Sequence, residues 1–538
     1  MKIWHSSWLA ATAAVLLASA AANWQNDGLW FQGDSPRHAL NGVLLLDFVR
    51  SGEIRDARSF ALDYYAQYPA VAPTVWPPGF AVLEAFAYAV FGFSPLVAKG
   101  LVFAFGGLFA VYLMRWLTAL ELSPLAGWAA LLVLAQPGFL VWLNAVMLDV
   151  PGLALGTAAA FHIDRARRGG RRQDLVAAGL FAVAAAWTRP AAVVLPVVFA
   201  LVSVFSVGGR RLLRLDSCAL ATAGVLAFLP WIIVQAKLSG VVLQQAGSTL
   251  KPVFELSALT YYPRTLFAVV SPGYAALFAL AVAASLALAR ARRDVGRYCA
   301  CALGIVAVFS LMGEKGARYV VGILPMVALT IGTVVGGIPL AAALVPAEAS
   351  ERVGRWRVAL AGTIAALLTG VHGAAVSAPA IRGIDTVVER MVERAPGERV
   401  LYLGRYDGVF VYYTRLLAGD VGGEPTVRTV RGSKVFFASA LQPSYGLVEL
   451  VERADDVVRV VSQYGTRWLL LEREDVIGVE PTAIARAAIR ADPRFRFAEE
   501  YAIETPRHLN VSALELYEFL PELPEEAREE FVFPSLAP

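Results

Sequence analysis

Charge is scarce in this chain. Asp, Glu, Lys and Arg make up only 17% of its 538 residues, 57% are hydrophobic, and the mean hydropathy is +0.58. Such a balance excludes an ordinary water-soluble enzyme. Histidine is scarcer: five residues, scattered at 5, 38, 162, 372 and 508, exclude a histidine-rich metal site, although a need for a divalent metal stays open. The three cysteines, Cys218, Cys299 and Cys301, all fall in apolar segments, so no disulfide can hold the charged C-terminal part. Cys299-x-Cys301 lacks metal spacing and companion ligands and reads as small-residue packing. Also missing are a Gly-x-x-x-x-Gly-Lys loop, a His-Glu-x-x-His helix, a Gly-x-Ser-x-Gly elbow and a dinucleotide fingerprint after a strand. The net charge of +4 comes from arginines between apolar segments and does not indicate a nucleic-acid partner.

What the chain has instead is a series of long apolar runs, ending near Ser377. The hydropathy pattern predicts membrane helices at about 4–23, 97–118, 125–143, 150–164, 174–188, 191–208, 217–236, 273–290, 298–312, 319–341 and 357–376. Lys2, the apolar stretch after it and Ser19-Ala20-Ala21-Ala22 fit either a cleavable signal peptide or a retained first helix. Arginine placement favours the retained helix. Arg165, Arg167, Arg168, Arg171 and Arg172, then Arg210, Arg211 and Arg214, then Arg290, Arg292, Arg293 and Arg297, and finally Arg352, Arg355 and Arg357 mark cytoplasmic loops. Counting back from these, a span at 77–93 would put Lys2 outside. If 77–93 only lies in the outer leaflet, every loop agrees. The reading is therefore an α-helical polytopic membrane protein of about eleven spans. Its N-terminus is cytoplasmic, and a soluble α/β domain lies outside the cell or inner membrane. Residues 1–378 form the membrane domain, with a first exterior loop at 24–96, and residues 385–538 form the soluble one.

Candidate chemistry gathers on the expected exterior face. The first loop reads Gly33-Asp34-Ser35-Pro36-Arg37-His38, with Pro36 in the first turn of a helix and Asp34 available as its cap. Tyr64, Tyr65, Tyr68-Pro69 and Trp76-Pro77-Pro78 give it an aromatic, proline-stiffened wall. A second acid, Asp149 in Met147-Leu148-Asp149-Val150-Pro151, stands where another exterior loop enters a span, as a helix cap or a functional membrane-edge acid. Arg189, Arg264, Lys315 and Arg318 add cations on a face that usually carries few. Each cation alone could anchor a helix to headgroups. Together with the acids they point to an anionic headgroup beside a group that must lose a proton.

An early acid in the first exterior loop, an aromatic-Pro-Pro before an apolar helix ending Phe91-Gly92, the second acid Asp149 and the late Arg318-Tyr319…Leu324-Pro325 resemble the polytopic GT-C glycosyltransferases. The pattern is similar to the branch of dolichyl-phosphate-mannose protein mannosyltransferases and lipid A aminoarabinose transferases, over residues 1–376. The resemblance implies a sugar donor on a polyprenyl phosphate, transfer on the non-cytoplasmic face to a lipid, glycan or protein hydroxyl, and membrane lipids as surroundings. It makes Asp34 the catalytic acid, Asp149 the second acidic position, and Lys315 and Arg318 the holders of the lipid-linked phosphate. Arg264 would assist them, and Arg37 and His38 would bind substrate near Asp34. The mannosyltransferases carry Asp-Glu where this chain has Asp34-Ser35, which separates it from direct protein mannosylation. Asp34, Asp149, Lys315 and Arg318 are expected around one hollow.

Beyond residue 385, strands are expected at Arg399–Leu403, Lys434–Ala438, Trp468–Leu471 and Glu515–Phe519, with helices at Asp455–Tyr464 and Thr482–Ala491 and an acidic tail from Pro521. Alternation of this kind predicts a small layered domain of mostly parallel strands. Two other function classes remain: a transporter or lipid-sugar flippase, which would favour paired repeats absent here, and a membrane scaffold, which has no need of a long structured first loop.

Overall fold

The computed structural model describes residues 2–31, 33–52, 54–121, 124–238, 256–287, 289–312, 315–337, 376–418, 425–439, 447–506 and 510–524. The expected helix at 357–376 (all but its last residue), the arginines at 352–357 and the end of the acidic tail lie outside them. The chain sorts into two compact units. One comprises 1–24, 100–233 and 247–378; the other comprises 25–99, 234–246 and 379–538. Residues 25–99, which hold the first loop, thus group with the C-terminal residues, not with the apolar helices.

In the first unit each described apolar run is helical, but several are broken. Among the described residues, Pro95–Ala119 and Ala317–Gly336 are long and apolar enough to cross a membrane. Two further candidates are bent: Ala126–Ala135 with Pro137–Leu143, at 55°, and Thr260–Val269 with Pro272–Leu286, at 112°. Pro137 and Pro272 stand at the breaks, as expected of a ring that blocks a backbone donor and fixes φ.

The helix Asp149–Gly169 packs against Arg172–Thr188 and Val194–Val204. Its glycines explain how closely. A Cβ at Gly152 would meet Ala192 Cβ at 2.8 Å, and one at Gly156 would meet the Ala192 carbonyl at 2.9 Å. Small residues four apart let two backbones approach. Toward the other end, Asp164 accepts hydrogen bonds from Trp116 Nε1 at 3.1 Å, Arg167 Nη2 at 2.8 Å and Arg168 Nε at 2.9 Å, with Arg297 at 3.6 Å. Arginines that the sequence marks only as topology signals are therefore organised around one buried carboxylate. Asp149 and Asp164 lie about 22 Å apart along the helix axis.

The second unit centres on a five-stranded sheet. Its strands are β1 (Arg399–Leu403), β2 (Arg428–Arg431), β5 (Thr466–Glu472), β6 (Phe495–Ala502) and β7 (Ala513–Phe519), in the order β2-β1-β5-β7-β6. Strand β1 is parallel to β2 and β5, whereas β7 runs antiparallel to β5 and β6. The sheet is mixed, where mostly parallel strands were expected. Lys434 falls in a one-turn helix, Gly432–Val435, and only Phe437–Ser439 is extended there, as β3, paired with β4 (Leu447–Glu449).

The first loop folds as three helices, Asp34–Ser51, Ala57–Gln67 and Gly79–Phe91. The last is about 20 Å long, too short for a hydrocarbon core of about 30 Å. It buries Phe80, Glu84 and Tyr88 and exposes Val82, Leu83, Phe86 and Val90 on the opposite side, as an interfacial helix would. Helix Asp34–Ser51 packs on it through Gly42, where a Cβ would lie 2.5 Å from Glu84 Cβ.

Helix Asp34–Ser51 also packs on helix Asp407–Leu417, and there a charge pair is fully enclosed. Arg415 and Asp47 are 1% and 2% exposed. Arg415 Nη2 donates to Asp47 Oδ2 at 2.8 Å, its Nε donates to the Tyr64 hydroxyl at 3.1 Å, and that hydroxyl donates to Asp47 Oδ2 at 2.8 Å. Removing one member of such a pair strands the other charge without water. Arg415→Ala should cost about 3–5 kcal/mol of unfolding free energy, read from the thermal transition of the purified protein.

Glu472 on β5 is enclosed as well, accepting from Tyr402 Oη at 3.1 Å and the Tyr406 amide at 2.7 Å. Burial pushes its carboxyl up from 4.5 to about 7. The folded state therefore holds a proton that the unfolded chain gives up. Stability from this group is full below pH 4.5 and is lost as pH rises to about 7, by about 3 kcal/mol in all. Glu472→Gln should flatten that decline in unfolding free energies measured between pH 5 and 8.

Candidate functional site

Helix Arg172–Thr188 stops two residues before Pro190, because Arg189, the residue preceding the proline, is disfavoured in the helical region. Arg189 is accordingly extended, with φ −155° and ψ 114°. The close approach at Gly152 and Gly156 brings this corner against the start of helix Asp149–Gly169, and Arg189 Nη1 donates to Asp149 Oδ1. Asp149 is 4% exposed, and its other oxygen, Oδ2, is buried with no hydrogen-bond partner among the described residues. It does not cap a helix from outside but is the first residue of one. A carboxylate half-satisfied by an arginine and otherwise enclosed is costly, and such groups concentrate at functional sites.

Asp149 and Arg189 line a recess of about 390 Å³, counting its open mouth, together with Leu195, Phe309, Arg318 and Tyr319. The guanidinium of Arg189 lies 5.4 Å from the centre of the Tyr319 ring, and Tyr319 stacks on Phe309 at 5.6 Å. Arg318 also faces the Tyr319 ring, at 5.4 Å. Among the described residues the recess thus sets two guanidiniums and one carboxylate against an aromatic wall.

Lys315 is employed differently from the sequence expectation. Its ammonium donates to the carbonyls of Ser310 at 2.6 Å, Met312 at 2.5 Å and Phe309 at 3.3 Å, closing the C-terminal end of helix Ala289–Ser310. Cations are favoured there by the unsatisfied carbonyls. Arg264 is exposed on helix Leu256–Val269 and is not part of the recess lining.

Asp34, Arg37 and His38 belong to the other unit. Asp34 is the first residue of its helix. The cap position is Gly33, and no side chain caps that helix end. His38 is buried against Trp76, with ring centres 4.3 Å apart. Arg37 lies in the electrostatic reach of Asp34, Tyr65, Asp407 and Arg431. The last two were not visible as site residues in the sequence, since Arg428–Arg431 reads as a charged stretch rather than a strand. Among the described residues no group of three or more His, Cys, Asp or Glu side chains could hold a metal ion.

No protein-family model matches the chain, and no curated protein matches it in sequence. Solved structures do. ArnT from Cupriavidus metallidurans bound to undecaprenyl phosphate is 14% identical with a TM-score of 0.60, over 94% of this chain and 97% of that one. The same protein in its apo state gives 13% identity and a TM-score of 0.62, over 96% and 98%. The archaeal oligosaccharyltransferase AglB from Archaeoglobus fulgidus, in complex with an inhibitory peptide and a dolichol-phosphate, gives 12% and 0.50, over 93% of this chain and 74% of that one. The chain has the GT-C fold. These neighbours are GT-C glycosyltransferases, and the likeness makes this chain a polytopic helical membrane protein.

The Asp149–Arg189 contact gives a direct expectation. Arg189→Ala should lower the thermal transition of the detergent-solubilised protein more than the paired change Asp149→Ala with Arg189→Ala does. The coupling between the two sites should be about 1.5 kcal/mol or more.

Proposed function

We propose that this protein is a glycosyltransferase that moves a sugar from a polyprenyl-phosphate-linked donor to an acceptor hydroxyl on the non-cytoplasmic face. The observation carrying the reading is the shared fold over nearly the whole of both chains with ArnT bound to undecaprenyl phosphate. The Asp149–Arg189–Arg318 recess, which sets two guanidiniums and a carboxylate together among the described residues, supports it. The proposed topology is about eleven spans, with the N-terminus cytoplasmic and the C-terminal residues outside.

In the proposed reaction Asp34 accepts the proton of the acceptor hydroxyl as its oxygen attacks the anomeric carbon. The bond from that carbon to the phosphate oxygen breaks, and its electron pair leaves with the lipid phosphate. Arg318 and Arg189 stabilise the charge that gathers there, Asp149 fixes Arg189, and Lys315 holds the segment leading to Arg318 by closing the preceding helix. A single displacement inverts the sugar. His38, held by Trp76, and Arg37 orient groups around Asp34.

The test is transfer from a radiolabelled polyprenyl-phosphate sugar in proteoliposomes. Asp34→Asn should reduce the rate by about 10²–10⁴-fold with expression and thermal transition unchanged. A variant that keeps the wild-type rate removes Asp34 as the base. Translocation of the lipid-linked sugar with no transfer to any acceptor would support a flippase.

A further inference from the structure

Two bends in the first unit meet at one side chain. Gln136 lies between the halves of the bent candidate Ala126–Ala135 with Pro137–Leu143, and Ser271 lies between Thr260–Val269 and Pro272–Leu286. A break in a helix frees backbone groups, and in apolar surroundings these need partners from the protein. Gln136, 3% exposed, supplies them on both sides. Its Nε2 donates to the Leu132 carbonyl at 2.8 Å, while its own amide turns to the Val133 carbonyl at 3.1 Å. Its Oε1 accepts from the Ser271 amide and from Ser271 Oγ, each at 2.9 Å. Ser271 opens the second helix of its pair, its carbonyl accepting from the Ala275 amide at 2.9 Å. A carbonyl on one side and an N–H on the other admit the Gln136 amide only one way round.

The contact reaches from the bends to the recess. Gly138, just past Gln136, lets the second pair come close: a Cβ there would lie 2.8 Å from Val269 Cα and 2.9 Å from the Val269 carbonyl oxygen. Helix Leu256–Val269 thus packs on Pro137–Leu143, and both pack on Ala317–Ile323, the 3-10 segment that carries Arg318 and Tyr319. Tyr262 of the same helix, 2% exposed, stands with its ring centre 5.9 Å from the Lys315 ammonium. A 3-10 turn has poorer hydrogen-bond geometry than an α-helix, so its position depends on what packs against it. What packs against this one turns a corner of 112°, which no hydrogen bond within either helix can hold. Separate side chains could satisfy the two bends one at a time. One amide spanning both makes them move together.

We propose that Gln136 is a positioning residue for the recess. Through Ser271 it fixes the corner at the end of helix Leu256–Val269, and that helix sets where Arg318 stands beside Asp149 and Arg189. Gln136 is not part of the recess lining and acts only through what it holds. The proposal rests on the reading of the recess as the place of a polyprenyl phosphate, whereas binding is measurable without turnover.

The experiment is binding of undecaprenyl phosphate by the full chain in nanodiscs, read as a double-mutant cycle with Arg318→Ala. The wild type should bind saturably, and Arg318→Ala should weaken binding by itself. Gln136→Leu should weaken it about tenfold, and Ser271→Ala about threefold, because the bond from the Ser271 amide remains. In the Arg318→Ala background neither change should weaken it further, since a residue acting through Arg318 then has nothing to position. Gln136→Glu should bind as the wild type does at about pH 5, where a protonated carboxyl offers the same acceptor and donor, and lose affinity as pH rises. Leu280→Ala, 68% exposed on helix Pro272–Ala287, should change nothing. If Gln136→Leu lacks a cooperative thermal transition, Ser271→Ala and Gln136→Glu decide. Affinity equal to the wild type in the Gln136 and Ser271 variants, losses that are the same with and without Arg318, or no saturable binding by the wild type overturns the proposal. Sugar transfer in proteoliposomes separates the two readings. If the wild type binds the lipid phosphate and transfers nothing while Gln136→Leu binds weakly, the positioning role stands and the transferase reading falls. If the wild type transfers and Gln136→Leu binds equally well, the transferase reading stands and the positioning role falls.

Discussion

The buried pair of Asp47 and Arg415 is the constraint on which the second unit depends. Its partners lie 368 residues apart in sequence, with every apolar run after the first loop between them. Because neither charge reaches water, each is tolerable only when the other is in place, with Tyr64 and the Tyr68 ring closing the arrangement. The first loop therefore cannot settle on its own. Its helix Asp34–Ser51 is completed by Asp407–Leu417, and Asp34 stands at the end of a helix whose middle is fixed by the C-terminal residues. This gives the C-terminal residues a function, which their own side chains do not disclose: they hold the loop that carries the proposed base.

The first unit solves a similar problem with a different device. Gly152 and Gly156 bring the Arg189–Ala192 corner against the start of helix Asp149–Gly169, and the ion pair of Asp149 with Arg189 follows from that approach. A bulkier residue at either glycine would separate the carboxylate from its arginine and open the recess. Packing by small residues and placement of charge are thus one event.

Much of this was legible from the sequence, and the remainder has identifiable physical causes. Apolar runs gave most of the described helices of the first unit, because hydrophobic length is a local property, but Leu256–Val269 lies between the expected spans and was not among them. Strands at Arg399–Leu403 and within Thr466–Glu472 and Ala513–Phe519 were legible as short buried runs. β2 was not, since Arg428-Thr429-Val430-Arg431 has two charged ends and becomes a strand only by pairing with β1. β6 alternates charged and apolar residues and relies on β7 in the same way. Asp149 was legible as an acid where an apolar run begins, but its partner is Arg189, one of several cations that sequence order cannot rank. Lys315 was legible as a cation and not as a helix closure, because the carbonyls it bonds have no signature in side-chain order. Arg37 and Arg431 lie nearly 400 residues apart in the chain, and their approach could not be seen before the fold.

The central claim is that the first loop and the C-terminal residues form one cooperative unit locked at Asp47 and Arg415. Hydrogen exchange of the intact protein, followed by mass spectrometry of peptides from 34–51 and 407–417, tests it most directly. The account predicts that both helices exchange through a common opening, with the same protection and the same response to denaturant. Rapid exchange of 34–51 while 407–417 stays protected would contradict it.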